Sequence, residues 1–234
     1  MDPFRSRRVG DITVVQCSGR IVEGPEGTAL QQHLNAMLPF GACIVLNLAD
    51  VHFVDSSGMG LLVRFLTRTR TAGGHLKLCA VPAKVAEVLR VTKLATVFES
   101  HVTEDDAIAA FYQPAKSGTD PFRFNADVLC VEKSTDVLAY VGELLRQAGY
   151  AVMTAGNLPD ALTLLKVAKP KLVVISAELR SATGTRTAES FRALAEALSV
   201  VELPADFSGQ DAGDAGRELV ERVRASIAPR AMRL

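Results

Sequence analysis

The sequence predicts an α/β fold in each of two domains. The chain has 234 residues, which is longer than a usual single domain of about 100–150 residues. Apolar, β-branched runs alternate along it with segments whose apolar residues recur at helical spacing. This periodicity stops between Gln113 and Asn125, in a polar stretch that contains Pro114, Gly118 and Pro121. We therefore predict a first domain over residues 1–112, a linker over residues 113–125 and a second domain over residues 126–234.

The first domain is predicted to alternate strands with helices. Strands are expected over residues 12–17, 43–48 and 76–81, with a further strand ending at Val54; helices are expected around residues 30–38, 61–71, 85–89 and 104–111. The run from Cys43 to Leu48 is apolar at five of its six positions, which is typical of a strand buried on both faces. We expect it to lie at the centre of the sheet.

The second domain is predicted to be a parallel α/β domain. Strands are expected over residues 128–131, 151–155, 172–176 and 200–203, and helices over residues 137–148, 159–168, 188–198 and 215–227. Strands and helices that alternate at this spacing indicate βαβ units and an open parallel sheet. The pattern ends early, so we expect the domain to be abbreviated at its carboxyl end.

Charge and cysteine usage limit the function classes. Lysine plus arginine and aspartate plus glutamate both number 26, so no broad field favours nucleic acid or an anionic membrane surface. No run approaches the ~20 apolar residues of a membrane span, and we expect a cytoplasmic protein. The cysteines lie in apolar runs without metal-ligand spacing, and we predict small buried hydrophobes that bind no metal or cofactor: Cys17, Cys43, Cys79 and Cys130.

The turn Asp55-Ser56-Ser57-Gly58 lies where a buried strand gives way to a helix. This placement puts a serine hydroxyl near the helix N-cap, where free backbone N–H groups and the helix dipole favour an added phosphate. The surrounding segment, residues 51–62, reads VHFVDSSGMGLL. It resembles the signature of STAS-domain anti-sigma factor antagonists, and the resemblance extends over residues 9–111.

The resemblance implies a mixed β-sheet flanked by helices and a non-enzymatic role in signal transduction and transcription regulation. In this family the serine directly after the aspartate, here Ser56, is phosphorylated by a partner that is both serine kinase and anti-sigma factor. A metal-dependent serine phosphatase removes the phosphate, and the antagonist then sequesters the anti-sigma factor. Asp55, Ser57 and Gly58 complete the switch turn.

Other interpretations of the same turn stay open. It could be a plain N-cap in which Ser56 or Ser57 accepts from the first helical amides. A dinucleotide fingerprint beginning at Gly58 would lack its third glycine, since Val63 occupies that position. A hydrolase elbow would require glycine two residues before the serine. A further alternative is a STAS docking module, such as an accessory subunit of a membrane transporter, that works without phosphorylation.

The second domain resembles a response-regulator receiver that has lost its chemistry. The resemblance rests on the VLCVEKS segment at residues 128–134 and the KPKLVVIS segment at residues 169–176. It implies that the metal-binding acid pair has become Glu132-Lys133 and that the phosphoacceptor position falls on Ser176 or Ile175. We expect Lys133 to neutralise Glu132, so that no magnesium binds. Without the phosphoacceptor aspartate, the domain also cannot form an acyl phosphate. The roles that remain are docking, a homodimer formed through this domain, or a purely structural accessory.

Overall fold

The structure, a computed structural model, describes residues 4–38, 43–112, 126–204, 207 and 212–227. The chain divides into two compact units, Met1–Phe122 and Arg123–Leu234. The predicted linker over residues 113–125 lies outside the described residues, so its extent stays a prediction.

The described part of the first unit forms a mixed five-stranded sheet with helices on both faces. Its strands are β1 (Phe4–Val9), β2 (Ile12–Ile21), β3 (Cys43–Val54), β4 (His75–Cys79) and β5 (Glu99–His101). Its helices are α1 (Pro25–Met37), α2 (Ser56–Thr71), α3 (Ala83–Val91) and α4 (Glu104–Tyr112), with a 3-10 helix over Leu94–Thr96. The strand order is β1-β2-β3-β4-β5; β1 pairs with β2 antiparallel, and all the other pairs are parallel. The prediction of an α/β fold with a mixed sheet is confirmed.

Strand β3 lies at the centre of this sheet, as its apolar run predicts. Ile44 and Leu46 point to one face and pack with α1, α2 and α3, while Val45 is fully buried on the other. The side chain of Lys77 on β4 points to the same face of the sheet as Val45. Its ammonium lies 4.8 Å from the ring centroid of Phe111 on α4. Both faces of the sheet are therefore covered.

Two strands of the first unit were not predicted. Strand β1 exposes the four residues between Phe4 and Val9, three of which are arginines, so its sequence has none of the alternation of a half-buried strand. Charged edge strands of this kind discourage pairing with another chain. Strand β5 has only three residues, which is too short to show a period.

The second unit, within the described residues, forms a four-stranded parallel sheet. Its strands are β6 (Val128–Val131), β7 (Val152–Ala155), β8 (Leu172–Ser176) and β9 (Ser199–Leu203). Its helices are α5 (Thr135–Gln147), α6 (Leu158–Ala168), α7 (Ala177–Ser181), α8 (Arg186–Ala195) and α9 (Ala212–Ile227). The order β7-β6-β8-β9 equals the first four positions of the doubly wound order 2-1-3-4-5. Helix α7 was not predicted because five residues show no helical period.

Helices cover both faces of this second sheet. Val128 and Cys130 on β6 pack with α5 and α9, whose apolar residues form one cluster. Leu129 and Val131 point to the opposite face, where α6 contacts β6 and α8. The chain continues from β6 into α5 on one face of the sheet, and from β8 through α7 into α8 on the other face. The carboxyl ends of these two neighbouring strands therefore form a topological switch point, which is where α/β proteins commonly bind ligands.

Candidate functional site

Asp55 is the N-cap of α2. Its Oδ1 atom accepts a hydrogen bond from the Gly58 N–H at 2.7 Å, and its Oδ2 atom accepts one from the Glu23 N–H at 3.4 Å. Its own N–H donates to the Ile21 carbonyl at 3.3 Å, which holds the turn against the end of β2. The alternative in which a serine hydroxyl caps this helix is wrong, because the carboxylate takes that place and adds a favourable interaction with the helix dipole.

The two serines of the turn are both exposed but have different surroundings. The Ser57 hydroxyl donates to Oε2 of Glu23 at 3.1 Å. The Ser56 hydroxyl makes no side-chain hydrogen bond within the described residues, although it lies in the first turn of the same helix. Ser56 is therefore the serine whose hydroxyl is available to another molecule without breaking an internal contact.

Gly58 allows the first turn of α2 to lie directly against β2. A Cβ atom at this position would be 2.0 Å from the carbonyl oxygen of Ile21 and 2.7 Å from its carbonyl carbon. Backbone atoms cannot move aside as a flexible side chain can, so only glycine fits. The sequence signature contains this glycine, but the reason for it lies in a contact across the fold.

An exposed aromatic residue lies three positions before Ser56. The Phe53 side chain is 48% exposed, and the guanidinium of Arg20 lies 5.7 Å from its ring centroid. The two residues are partners in the register of β2 and β3. Sequence reasoning missed this pair; the only signal was a large aromatic residue at an outward position near the end of a strand. Exposed aromatic and arginine side chains are typical anchors of protein–protein interfaces.

All four cysteines are buried and free of disulfides, which confirms their prediction as small buried hydrophobes. Burial raises the pKa of the Cys17, Cys79 and Cys130 thiols to about 12. Such thiols are protonated at neutral pH and are poor nucleophiles or metal ligands.

The sequence-predicted residues of the second unit lie together at the carboxyl edge of its sheet. Glu132 follows β6, and Ser176 is the last residue of β8. The expected pairing of Lys133 with Glu132 is wrong: the Lys133 ammonium binds Glu178 of α7. Glu132 instead accepts from the Ser134 N–H through Oε1 at 2.7 Å. The unpredicted helix α7 supplies the competing carboxylate.

Neither a metal cluster nor a membrane span is present in the part of the chain that the structure describes. No group of three or more His, Cys, Asp or Glu residues there could hold a metal ion. No helix in the same part combines the length and the apolar character needed to cross a membrane. A cavity of about 500 Å³ is lined mainly by residues of α7 and α8. Its two arginines are already bound: Arg180 to Glu202 and Arg192 to the Ala182 carbonyl.

The first unit is similar to a known domain family. Residues 4–107 match the family model of the STAS domain. Protein Rrf1 of Nitratidesulfovibrio vulgaris is 34% identical over 61 residues, which are 26% of this chain and 44% of that protein. The chain thus spans less than half of that curated relative.

Two solved structures similar to the chain were assigned as anti-sigma factor antagonists. The protein from Thermotoga maritima is 24% identical with a TM-score of 0.43, and the match covers 46% of this chain and 92% of that one. The protein from Mycobacterium paratuberculosis is 24% identical with a TM-score of 0.42, and the match covers 46% and 91%.

Proposed function

We propose that this chain is a cytoplasmic protein-binding regulator of the anti-sigma factor antagonist type, switched by phosphorylation of Ser56. It acts by binding and not by catalysis. Unphosphorylated, it sequesters a partner that is both serine kinase and anti-sigma factor, and a serine phosphatase restores this state. The observation that carries the proposal is the Ser56 hydroxyl, which is exposed, free of side-chain hydrogen bonds among the described residues and placed in the first turn of α2.

The electrostatics of the turn favour Ser56 over Ser57 as the phosphorylated residue. The Ser57 hydroxyl is 3.1 Å from a Glu23 carboxylate oxygen, so a phosphate there would replace a hydrogen bond with repulsion between two anions. The Ser56 hydroxyl loses no such bond. Asp55 is near both serines, but its oxygens are already engaged by the N–H groups of Gly58 and Glu23.

A phosphate on Ser56 changes the surface much more than the fold. At the exposed amino end of α2 it should stabilise the helix by only about 0.3–1 kcal/mol. It also adds about −1.5 to −2 charges three residues from Phe53, on a surface that includes Arg20. A partner that covers Phe53 must desolvate that phosphate or face it with like charge. Either effect can cost several kcal/mol in binding, and each 1.4 kcal/mol is tenfold in affinity.

The experiment compares three serine variants with the kinase partner from the same organism. Ser56→Ala should bind the partner as wild type does and accept no phosphate. Ser56→Asp should lose at least about tenfold in affinity. Ser57→Ala is the matched control and should still be phosphorylated. Labelling of Ser57 alone, or unchanged affinity of Ser56→Asp, contradicts the switch and leaves a docking module that works without phosphorylation.

We further infer that the second unit is a receiver-like domain without phosphoryl chemistry. Its four parallel strands follow the receiver order as far as they extend, and no aspartate ends β8, where Ser176 is found. Docking, or formation of a homodimer, is the role this leaves. Size-exclusion chromatography with light scattering tests the homodimer on the full chain, and the mass of a monomer at every protein concentration contradicts it.

A further inference from the structure

A cavity of about 310 Å³ opens at the carboxyl edge of the second sheet. Its wall includes Glu132 after β6, Ser176 at the end of β8 and Leu203 at the end of β9. This volume is at the lower end of the range for small-molecule sites, which is about 300–1,000 Å³. The cavity also lies at the switch point of the sheet, where doubly wound proteins bind their ligands.

Ser176 contributes a buried polar group to this cavity that has no protein partner. The residue is only 8% exposed, and its Oγ atom has no hydrogen-bond partner among the described residues. A buried hydroxyl without a partner costs about 1–3 kcal/mol relative to one that is bonded. An occupant of the cavity that bonds to Oγ removes this cost.

The charge of the cavity wall indicates which charge a bound ligand should have. The wall contains two carboxylates, Glu132 and Glu178. Lys133 neutralises Glu178, whereas Glu132 has one oxygen bound to the Ser134 N–H and the other without a partner in the described part of the chain. One negative charge therefore remains uncompensated in the wall that also contains the Ser176 hydroxyl. An anion such as phosphate would be repelled, and a single cation would be attracted.

Apart from Ser134, the rest of the wall is apolar. Leu203 and Phe207 are buried residues of the same core cluster, and Pro204 is a further apolar residue of the wall. A bare metal ion would leave this surface without a partner, whereas an organic cation with an apolar body would cover it. Aromatic rings next to an ammonium also add a cation–π attraction of about 0.5–2 kcal/mol.

We propose that this cavity binds a small organic monocation, an amine whose ammonium donates to Glu132 and to the Ser176 hydroxyl and whose apolar body packs on Leu203 and Phe207. The proposal does not depend on Ser56. It gives the second unit a ligand-sensing role in place of the lost phosphoryl chemistry.

The test uses three probes of nearly equal shape on the full-length protein. Phenethylamine is the cation, phenethyl alcohol is its neutral counterpart and hydrocinnamate is the anion. Isothermal titration calorimetry at neutral pH should detect phenethylamine in the millimolar range or tighter. The alcohol should bind at least about tenfold more weakly, because it does not compensate Glu132. Hydrocinnamate should not bind. Equal binding of the three probes, preferred binding of the anion, tight binding of magnesium, or no binding of phenethylamine overturns the proposal.

Single substitutions show where the amine binds and distinguish an effect on binding from an effect on protein stability. Glu132→Gln and Ser176→Ala should each weaken phenethylamine by at least about fivefold to tenfold. The matched controls Glu143→Gln, on the exposed side of α5, and Ser199→Ala, at the amino end of β9, should leave it unchanged. Without probe, Ser176→Ala should melt at or above the wild-type temperature, because an unpaired buried hydroxyl is removed. A lower melting temperature together with unchanged amine binding would mean that Ser176 holds structural water only, and it overturns the proposal.

Discussion

The substitution Gly58→Ala tests how closely the switch turn is held to β2. The added Cβ would lie 2.0 Å from the Ile21 carbonyl oxygen, and real Cβ contacts are essentially never below 3.0 Å. The amino end of α2 must therefore move by at least about 1 Å. The hydrogen bonds from Asp55 N–H to Ile21 and from Glu23 N–H to Asp55 are already 3.3 and 3.4 Å long. We expect both to break.

The size of the effect follows from opposing terms. Overpacking of this kind costs about 1–3 kcal/mol, and each lost hydrogen bond costs about 1 kcal/mol. The helix propensity of alanine over glycine offsets about 1 kcal/mol. We therefore expect Gly58→Ala to lower the free energy of unfolding by about 2–4 kcal/mol.

Gly60→Ala is the matched control within the same helix. Its added Cβ would meet only the end of the Arg64 side chain, at 3.4 Å, so the propensity gain of about 0.5–1 kcal/mol should appear as stabilisation. Urea unfolding followed by circular dichroism measures both variants, and amide hydrogen exchange assigns the change to β2 and α2. Equal stabilisation by the two substitutions, or unchanged exchange in α2 of Gly58→Ala, would refute the close contact.

Four further outcomes are expected. Ser56→Asp should melt within a few degrees of wild type in a calorimetric scan while it loses its partner, because the substitution lies at an exposed helix end. Burial holds the pKa of the Cys130 thiol near 12, so iodoacetamide at about pH 8 should alkylate it only in urea, as peptide mass spectrometry will show. The ion pair with Lys171 lowers the pKa of Asp127, so the pair stabilises the fold above about pH 4, and this stabilisation disappears as the pH falls through the lowered pKa. Between about pH 6 and about pH 3, wild type should therefore lose roughly 0.5–1 kcal/mol more free energy of unfolding than Asp127→Asn does, as measured by urea titration. Acetyl phosphate with magnesium should add no phosphate to the second unit in intact-mass measurements, and a gain on one of its acidic residues would refute the loss of receiver chemistry.

The sequence predicts best the elements that are buried on both faces. Strands β6 and β8 match the predicted residues 128–131 and 172–176, because runs of consecutive apolar residues between polar turns have few other structures available. Strand β1 escapes prediction because its stability comes from pairing with β2 and not from its own pattern. Helix α7 escapes because one turn and a half shows no period.

The candidate site is predictable in place but not in its contacts. The local pattern locates the turn from Asp55 to Gly58, since a buried strand, polar residues and an amphipathic helix follow one another there. It does not reveal that Glu23 binds the Ser57 hydroxyl or that Arg20 covers Phe53, because those contacts join residues more than thirty positions apart. The same limit explains Lys133, whose partner Glu178 lies 45 positions away.

Exposure decides what a serine can do at the end of a parallel strand. Ser56 lies just after the end of β3, and Ser176 is the last residue of β8. Helix N-termini converge at these ends of parallel strands, and ligands commonly bind there. Ser56 is exposed and next to a carboxylate that is already engaged by backbone amides, so a macromolecular kinase can reach it and add charge. Ser176 is 8% exposed and faces a small cavity with a carboxylate oxygen still unengaged, so only a small molecule can reach it. The same residue type therefore suits a covalent switch in one unit and a reversible binding site in the other.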